Sequence, residues 1–261
     1  MSDRNVGTSD AEGVHTISIE REDKRNALNR ATLVELEAAF ALAAERSEVR
    51  VIVLRGAGNR AFCAGADLAE VLGHASLEES RRHFDGVARV MRAMERAPQP
   101  VIARVPGFAL AGGCGLAVAA DFTVAAESAV FGLPEIGLGL LPLMVSVPVL
   151  RAVGSRKVLI DLLLTGRRVG AAEARELGLA TRVVPDADLD AEVAALAEQL
   201  AGLSPLTLRL GKEAVYTMAE MEAGAALTYL RDAVVLTSRT EDAREGIAAF
   251  FEKRKPRWTG R

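Results

Sequence analysis

Residues 100–142 read PVIARVPGFALAGGCGLAVAADFTVAAESAVFGLPEIGLGLLP, and this stretch decides the fold. Its apolar, β-branched opening at residues 101–105 predicts a buried strand. Pro106 and Gly107 end the strand, and residues 111–119 then have the Ala- and Leu-rich composition of a helix. The first N–H groups of a helix have no partner within it and face whatever lies at its start.

Glu135 is a single carboxylate within the apolar run of residues 131–137. Because its neighbours are apolar, desolvation is expected to raise its pKa and to suit it to proton exchange near neutral pH. A cluster of N–H donors that polarises a carbonyl, together with one desolvated base, forms a site that generates enolates. We therefore expect the start of the 111–119 helix to face Glu135.

A second glycine-containing turn, AFCAGADL at residues 61–68, precedes this stretch. Its small residues let a ligand approach the backbone closely. Asp67 is expected to cap the following helix and to leave the Ala66 N–H free. A tight turn with a capping aspartate explains this motif alone. Paired with Gly112, however, Ala66 offers a second donor for an oxyanion hole, in which each donor is worth about 10²–10³ in rate.

Composition limits the classes of function. The chain has 261 residues, half of them hydrophobic, and a net charge of −3, which gives no general attraction to nucleic acid or to anionic membranes. Its apolar stretches are interrupted well before the length of a membrane span, and no secretion signal precedes them. Cys63 and Cys114 lack metal-ligand spacing. We expect a cytoplasmic protein with reduced thiols.

The order of elements predicts an α/β fold. Strands alternate with helices through the first half of the chain, which indicates crossover units on parallel strands. Residues 1–12 are polar and are expected to be frayed. Residues 77–97 are predicted to form a long helix that directs inward Phe84, Val87, Met91 and Met94.

His74 and His83 lie in or near this long helix. Residues nine apart do not share one helical face, so we expect no metal site there. We predict that each histidine side chain is either solvated or hydrogen-bonded to a nearby group.

The motifs described above resemble the enoyl-CoA hydratase/isomerase, or crotonase, family. The resemblance runs in order through almost the whole chain and is carried by residues 24–29, 62–68, 106–116, Asp121, residues 131–135, 245–246 and 255–256. It implies a spiral of repeated ββα units over residues 1–200. A helical region over residues 201–261 is implied to build trimers, which often pair into hexamers. The shared chemistry is stabilisation of the thioester enolate of an acyl-CoA.

Residue by residue, the resemblance assigns the two oxyanion donors to the N–H groups of Ala66 and Gly112. It implies that Lys24, Arg25 and Ala27 line the region of the CoA adenine and phosphates. Lys253 matches a basic position near those phosphates that is often contributed across a subunit boundary, although a cation there also suits a helix C-terminus. Further contacts with the acyl-CoA are implied at Ala64, Gly65, Asp67, Leu68, Gly113 and Gly115.

Glu135 matches one of the two catalytic glutamates of typical hydratases. The other glutamate is missing, because its position, three residues after Gly112, is Gly115. Three outcomes are open: hydration of a 2-enoyl-CoA with Glu135 as the single acid/base, isomerisation of a 3-enoyl-CoA to a 2-enoyl-CoA, and acyl-CoA binding without turnover. We favour hydration by a lyase. Ser146 is the nearest candidate for a helper hydroxyl. The CoA thioester is the substrate, and no other cofactor is implied.

Two further segments admit two interpretations each. Residues 140–147 carry large apolar side chains, which either reshape the acyl pocket or serve helix packing. The basic residues 253–258 offer nucleic-acid binding as a rival from a different class, but one short run in an acidic protein supports it weakly.

Overall fold

The computed structural model describes residues 4–261 and contains two β-sheets surrounded by helices. The strands, in chain order, are β1 Val6–Ala11, β2 Val14–Ile19, β3 Val51–Gly56, β4 Ala61–Cys63, β5 Val101–Val105, β6 Phe108–Leu110, β7 Phe122–Ala126, β8 Val130–Gly132, β9 Arg168–Gly170 and β10 Arg182–Val184.

The helices are α1 Arg30–Ala44, α2 Leu68–Leu72, α3 Leu77–Arg96, α4 Gly112–Ala119, α5 Ser146–Val153, α6 Arg156–Thr165, α7 Ala171–Glu176, α8 Leu189–Ala201, α9 Pro205–Met218, α10 Ala223–Thr237 and α11 Glu241–Phe251. Short 3₁₀ helices span Glu22–Lys24, Pro134–Leu138 and Asp186–Asp188. No helix in residues 4–261 is both long enough and apolar enough to cross a membrane.

Successive ββα units send one strand to each sheet. The larger sheet has the order β1-β2-β3-β5-β7-β10, and the smaller has the order β4-β6-β8-β9. Thus β3 and β4, then β5 and β6, then β7 and β8, contribute in turn to the two sheets, and helices follow each pair. From β2 to β10 the larger sheet is parallel. The parallel strands with crossover connections match what the alternation of strands and helices predicts, and their arrangement is the spiral that the resemblance implies.

The N-terminal segment differs from its prediction. Residues 6–11 are not frayed, because β1 forms an antiparallel hairpin with β2, from Val6 opposite Ile19 to Ala11 opposite Val14. Val6 is buried, whereas the following side chains of β1 are mostly exposed, which explains why the segment looks polar in sequence. Residues 1–3 of the predicted frayed segment lie outside the described part of the chain.

Both faces of the larger sheet are covered. On β3, Ile52 and Leu54 join the main core, whereas Val51 and Val53 point to the opposite face and pack with α8. A parallel strand buried on both faces needs apolar side chains at successive positions, which β3 supplies from Val51 to Leu54. At roughly 25 cal/mol per Å² of apolar surface removed from water, this burial is the main stabilising contribution.

Helix α3 places Val87 and Met94 in the core, as predicted. Met91 is only partly buried and packs at the edge of the core. The prediction for Phe84 is wrong, because its side chain is 38% exposed and contacts the edge of the His83 ring.

The C-terminal helices α9, α10 and α11 follow the predicted pattern of three helices without a strand. No residue of α10 is buried, and the exposed apolar side chains of α10 and α11 include Leu227, Val234, Val235, Leu236, Ile247, Phe250 and Phe251. The final residues fold back: Trp258 donates to the Gly202 carbonyl, and the amides of Thr259 and Gly260 donate to the buried Asp242.

Candidate active site

The candidate site lies where three neighbouring strands of the smaller sheet end. Strands β4, β6 and β8 are adjacent and parallel, so their carboxyl ends meet at one edge. Ala66 follows the end of β4, Gly112 follows β6, and Glu135 follows β8. The topology therefore brings the three predicted residues to one place, although they are far apart in the chain.

The Gly112 amide is positioned by a strained residue. Ala111 has a φ of +56°, a conformation that costs a non-glycine residue about 1–3 kcal/mol. Its own N–H is fixed to the Gly132 carbonyl at the end of β8. Gly112 is the first residue of α4, and its N–H donates to no acceptor within residues 4–261. This amide is therefore free for a ligand oxygen.

The Ala66 amide is left free by a short parallel bridge to Leu28. The Leu28 N–H donates to the Gly65 carbonyl, and the Asp67 N–H donates to the Leu28 carbonyl. Neither bond uses the backbone N–H or C=O of Ala66, which point away from Leu28. In the described part of the chain, the Ala66 N–H also has no acceptor. The prediction that Asp67 caps the next helix is confirmed: its side chain accepts from the Ala69 N–H and pairs with Arg21.

The two free amides lie side by side. A Cβ built on Gly65 would lie 3.2 Å from the Gly112 nitrogen, and one built on Gly112 would lie 4.0 Å from the Ala66 nitrogen. These distances show that the Ala66 and Gly112 amide nitrogens are within a few ångströms of each other. At Gly65 this approach requires glycine, because an added Cβ would also lie 2.4 Å from the Ala111 Cβ, whereas a Cβ on Gly112 would meet its neighbours at ordinary contact distances.

Glu135 is the second residue of the short 3₁₀ helix after β8 and lies against α4. Its Oε2 atom is buried and has no hydrogen-bond partner in the described chain. Burial raises the pKa of Glu135 to about 7, as the apolar neighbours predict. Burial also raises the pKa of the Cys114 thiol on α4 to about 12, with a smaller contribution from the Glu135 charge, so the carboxylate lies close to that helix.

Val145 occupies the space into which a side chain at position 115 would project. A Cβ built on Gly115 would lie 2.3 Å from Cγ1 and 2.5 Å from Cβ of Val145, distances that packing does not allow. Val145 is 3% exposed and belongs to the main core. The space that a side chain at position 115 would need is therefore filled by an apolar core residue, and the absence of the second glutamate is built into the packing.

The loop at residues 24–28 adjoins the oxyanion turn. The Ala64 N–H donates to the Arg25 carbonyl at 3.0 Å, next to the Leu28 bridge. The side chains of Lys24 and Arg25 are exposed, whereas Ala27 is buried. The loop therefore presents two exposed cations next to the turn that carries Ala66.

The remaining residues of the implied acyl-CoA site differ in their exposure and packing. Leu68 is 45% exposed at the start of α2. Gly113 packs α4 against β4, because an added Cβ would lie 2.2 Å from the Cys63 carbonyl oxygen. Lys253 follows the end of α11, with a φ of +54° and an exposed side chain. This position also fits the alternative interpretation, a cation at a helix C-terminus.

The Ser146 hydroxyl and the basic tail, which the sequence also singles out, are engaged in other contacts. The Ser146 hydroxyl donates to the Pro142 carbonyl at 3.2 Å, so it is committed to the start of α5. In the basic tail, Arg254 is paired with Glu245 and Glu252, which neutralise part of the charge proposed for nucleic-acid binding.

Sequence reasoning missed Asn26 and Arg21. Asn26 is 1% exposed, has a φ of +57°, and donates to the carbonyls of Ala57 and Ala61 at 3.0 and 2.9 Å. Arg21 donates to the Ala27 carbonyl and to Asp67. The signal for Asn26 was available, because asparagine tolerates the left-handed region and bonds to nearby backbone.

His74 and His83 are closer than their sequence spacing indicates. His74 lies in the link before α3 and not on that helix, so the argument from helical faces does not apply. The two ring centroids are 5.4 Å apart.

A cavity of about 1050 Å³ lies between α3, α4, α5 and α9. Its wall includes Met144 and Val147, two of the large side chains predicted to reshape an acyl pocket or to serve helix packing. Glu135 and the two free amides are not part of that wall.

Comparison with known proteins identifies the family of this chain. The family model for enoyl-CoA hydratase/isomerase matches residues 9–261. The chain belongs to the enoyl-CoA hydratase/isomerase family. A putative enoyl-CoA hydratase of Thermus thermophilus is 45% identical over 80% of this chain and 83% of that protein. The crotonyl-CoA hydratase of Syntrophomonas wolfei is 35% identical over 98% of both chains.

Solved structures confirm the crotonase fold. An enoyl-CoA hydratase from Mycobacterium smegmatis superposes with a TM-score of 0.93 at 36% identity and covers 97% of this chain and 98% of its own. Human enoyl coenzyme A hydratase domain-containing protein 3 gives a TM-score of 0.94 at 33% identity and covers 98% of this chain and 100% of its own. Membership in this family supports an enzymatic function. The predicted α/β spiral is confirmed.

Proposed function

We propose that this protein acts on an enoyl-CoA thioester, and that the reaction it catalyses is the hydration of a 2-enoyl-CoA. The observation that carries the proposal is the buried, unpartnered carboxylate of Glu135 beside α4, the helix whose first amide, that of Gly112, is free. The names of the relatives support hydration. No cofactor other than the CoA of the substrate takes part in this proposal.

The amides of Ala66 and Gly112 hold the thioester oxygen. When water adds to the β carbon, the electron pair of the double bond moves towards the thioester and gives an enolate. Two N–H donors at this oxygen stabilise the negative charge that develops there, and each is worth about 10²–10³ in rate. Because both donors are backbone groups of packed turns, they need little reorganisation when the charge appears.

Glu135 moves the proton. Its carboxylate accepts a proton from the attacking water, and the resulting acid returns a proton to the α carbon of the enolate. A group with a pKa of about 7 can perform both steps near neutral pH. A carboxylate at its ordinary pKa would be a weaker base for the first step.

Isomerisation of a 3-enoyl-CoA is the second candidate, and the packing of Val145 against Gly115 favours it. Two carboxylates that grip one water suit hydration, but the second position here is filled by an apolar side chain. Isomerisation needs one base and no water: Glu135 removes a proton from the α carbon, the amides hold the dienolate, and the proton returns to the γ carbon.

Contacts with the CoA moiety extend the proposal. In this proposal Lys24 and Arg25 contact the adenine and phosphates of CoA, and Lys253 contacts the CoA phosphates across a subunit boundary. The apolar, exposed faces of α10 and α11 support assembly into a trimer or a pair of trimers. Light scattering of the purified chain measures the assembly directly.

The Glu135→Gln variant tests the role of the carboxylate. It keeps the size of the side chain and removes its basicity, so we expect unchanged CoA binding and a loss of at least ~10²-fold in turnover. Hydration and double-bond-shift assays on a panel of 2-enoyl- and 3-enoyl-CoA thioesters identify the reaction. Near-wild-type turnover by the variant would refute the assignment.

Two other outcomes separate the rival classes. A wild-type protein that binds CoA thioesters but converts none of them would be an acyl-CoA-binding scaffold. A mobility shift with nucleic acid that weakens as salt increases would support the role of the basic tail, and we expect none.

A further inference from the structure

Three side chains on the α2–α3 segment converge on one point. Glu70 lies on α2, His74 lies in the link that follows, and His83 lies on α3. Their potential ligand atoms, one from each residue, all lie within 4.8 Å of one another. The shortest defined approach is between Glu70 Oε1 and His83 Nδ1, at 3.6 Å.

His83 is the unusual member of this cluster. Its side chain is 1% exposed, and neither ring nitrogen has a hydrogen-bond partner in the described chain. A buried polar group without a partner costs about 1–3 kcal/mol, so a partner that binds an imidazole nitrogen would recover this energy.

The other two residues are already oriented by their neighbours. His74 Nδ1 lies 3.2 Å from the Ser80 hydroxyl, which leaves Nε2 of the same ring for a ligand. Glu70 Oε1 accepts from the Arg30 N–H at the start of α1. A hydrogen bond to the second ring nitrogen of a ligand histidine, like the one at His74, is typical of protein metal sites.

We propose that Glu70, His74 and His83 form a binding site for a divalent transition-metal ion of the zinc class. Imidazole nitrogens with one carboxylate suit zinc, nickel, cobalt and ferrous ions, and disfavour magnesium and calcium, which require mainly oxygen ligands. Ligand bonds of about 2.0–2.2 Å require the three groups to close in slightly from their present separation. Three protein ligands leave a fourth position for water.

A bound ion would connect α2 to α3. Helix α2 begins one residue after Asp67, and Ala66 precedes Asp67, so the ion would hold the segment that follows one proposed oxyanion donor. The role that follows from this position is structural. It is independent of the proton transfer proposed for Glu135, and neither proposal depends on the other.

The chain provides a matched control for the test. It contains three histidines, and the third, His15, is distant from this cluster in the fold and bonded to Asp10 on β1. His74→Ala and Glu70→Gln remove ligands from partly exposed positions and are expected to fold. The glutamine retains an oxygen that accepts from the Arg30 N–H. His15→Gln changes a histidine but leaves the cluster intact.

The experiment uses the full chain without an affinity tag, freed of metal by a chelator and dialysis. Cobalt(II) is titrated and followed by its visible absorption, and zinc is titrated by calorimetry and by thermal unfolding. We expect one ion per chain, visible bands of nitrogen and oxygen ligation, and a higher melting temperature with zinc. The His74→Ala and Glu70→Gln variants should bind at least ~10-fold more weakly, whereas His15→Gln should bind like the wild type.

Two results would overturn the proposal. One is the absence of stoichiometric binding by the folded wild-type chain. The other is binding that both cluster variants retain unchanged, which would place the ion elsewhere on the protein. Either result would leave Glu70, His74 and His83 as a polar cluster without a metal, and neither would affect the assays of enoyl-CoA turnover.

Discussion

Cγ1 of Val145 lies 2.3 Å from the position that a Cβ atom on Gly115 would occupy. The two residues are therefore a matched pair: a valine that fills the space and a glycine that leaves it. Since the family's second glutamate belongs at position 115, restoring it requires a change at both positions. The Val145 Cβ is itself only 2.5 Å away, so alanine at position 145 is still too large and glycine is needed.

The first prediction concerns the stability of this pair. Gly115→Ala should destabilise the fold by about 1–3 kcal/mol, because the core has no room for a methyl group at that position. Val145→Gly should also destabilise it, because it leaves a cavity. The double variant should lose less than the sum of the two single losses, as contacting residues do. Urea denaturation measures all three, and simple additivity would show that the two residues do not compete for space.

The same pair predicts a change in reaction. Gly115→Glu with Val145→Gly gives a second carboxylate near Glu135 and should raise the ratio of hydration to double-bond shift. Gly115→Glu alone should fail to do so, because Val145 still fills the space. Both ratios are measured on matched 2-enoyl- and 3-enoyl-CoA thioesters. An unchanged ratio in a folded double variant would contradict the role given to the second carboxylate.

The pH dependence of turnover follows from the pKa of Glu135. Because burial raises that pKa to about 7, the base is protonated and inactive below neutral pH. We expect kcat/KM to rise with pH through about 7 and then to reach a plateau, with one ionisation on the acid side. The residual activity of Glu135→Gln should lack this inflection. A wild-type profile that is flat across neutral pH would exclude Glu135 as the base.

The same pKa predicts the sign of a stability effect. The folded protein holds the Glu135 proton up to about pH 7, whereas the unfolded chain releases it near the ordinary value of 4.5. Between these values the folded state binds the extra proton, so stability falls as pH rises through this window. Glu135→Gln should therefore equal the wild type below pH 4.5 and exceed it above pH 7, by about 1–3 kcal/mol. Paired thermal or urea unfolding at the two pH values tests this.

Much of the site could be predicted because its parts are local. The strand–glycine–helix order around Gly112, the capping role of Asp67 and the apolar neighbours of Glu135 are all visible within short segments. The sheet topology then brings these segments together. What escaped prediction depends on distant partners: the polar strand β1 is held by pairing with β2, and Val145 fills the space beside Gly115 from another element. The convergence of His74 and His83 depends on where α3 begins.

Gly65 gives a direct test of the backbone donors. Its φ is +95°, and an added Cβ would lie 2.4 Å from the Ala111 Cβ and 3.2 Å from the Gly112 nitrogen. Gly65→Ala should therefore displace the donors and lower kcat/KM by about 10²-fold. Gly211→Ala is a matched control, because a Cβ at Gly211 on α9 meets nothing within 4 Å. Circular dichroism and urea denaturation verify that Gly65→Ala remains folded, and normal turnover in the folded variant would argue against the oxyanion role.

Asp121 gives the last prediction, which concerns how α9 is attached to the spiral. Its carboxylate lies 2.7 Å from the Lys212 ammonium and accepts from the Tyr216 hydroxyl at 3.0 Å and from the Val101 N–H at 2.8 Å. The side chains of Asp121 and Lys212 are 13% and 8% exposed, so the pair is largely removed from water. Burial lowers the pKa of Lys212, and the Asp121 charge opposes that effect.

Asp121→Asn should therefore destabilise the protein by about 3 kcal/mol, because it leaves the buried Lys212 ammonium without its counter-charge. The matched control is Glu78→Gln on α3, which breaks the exposed pair with Arg82 and should cost less than about 1 kcal/mol. Urea denaturation of both variants gives the comparison. Equal losses would mean that the Asp121 pair contributes no more than a surface ion pair.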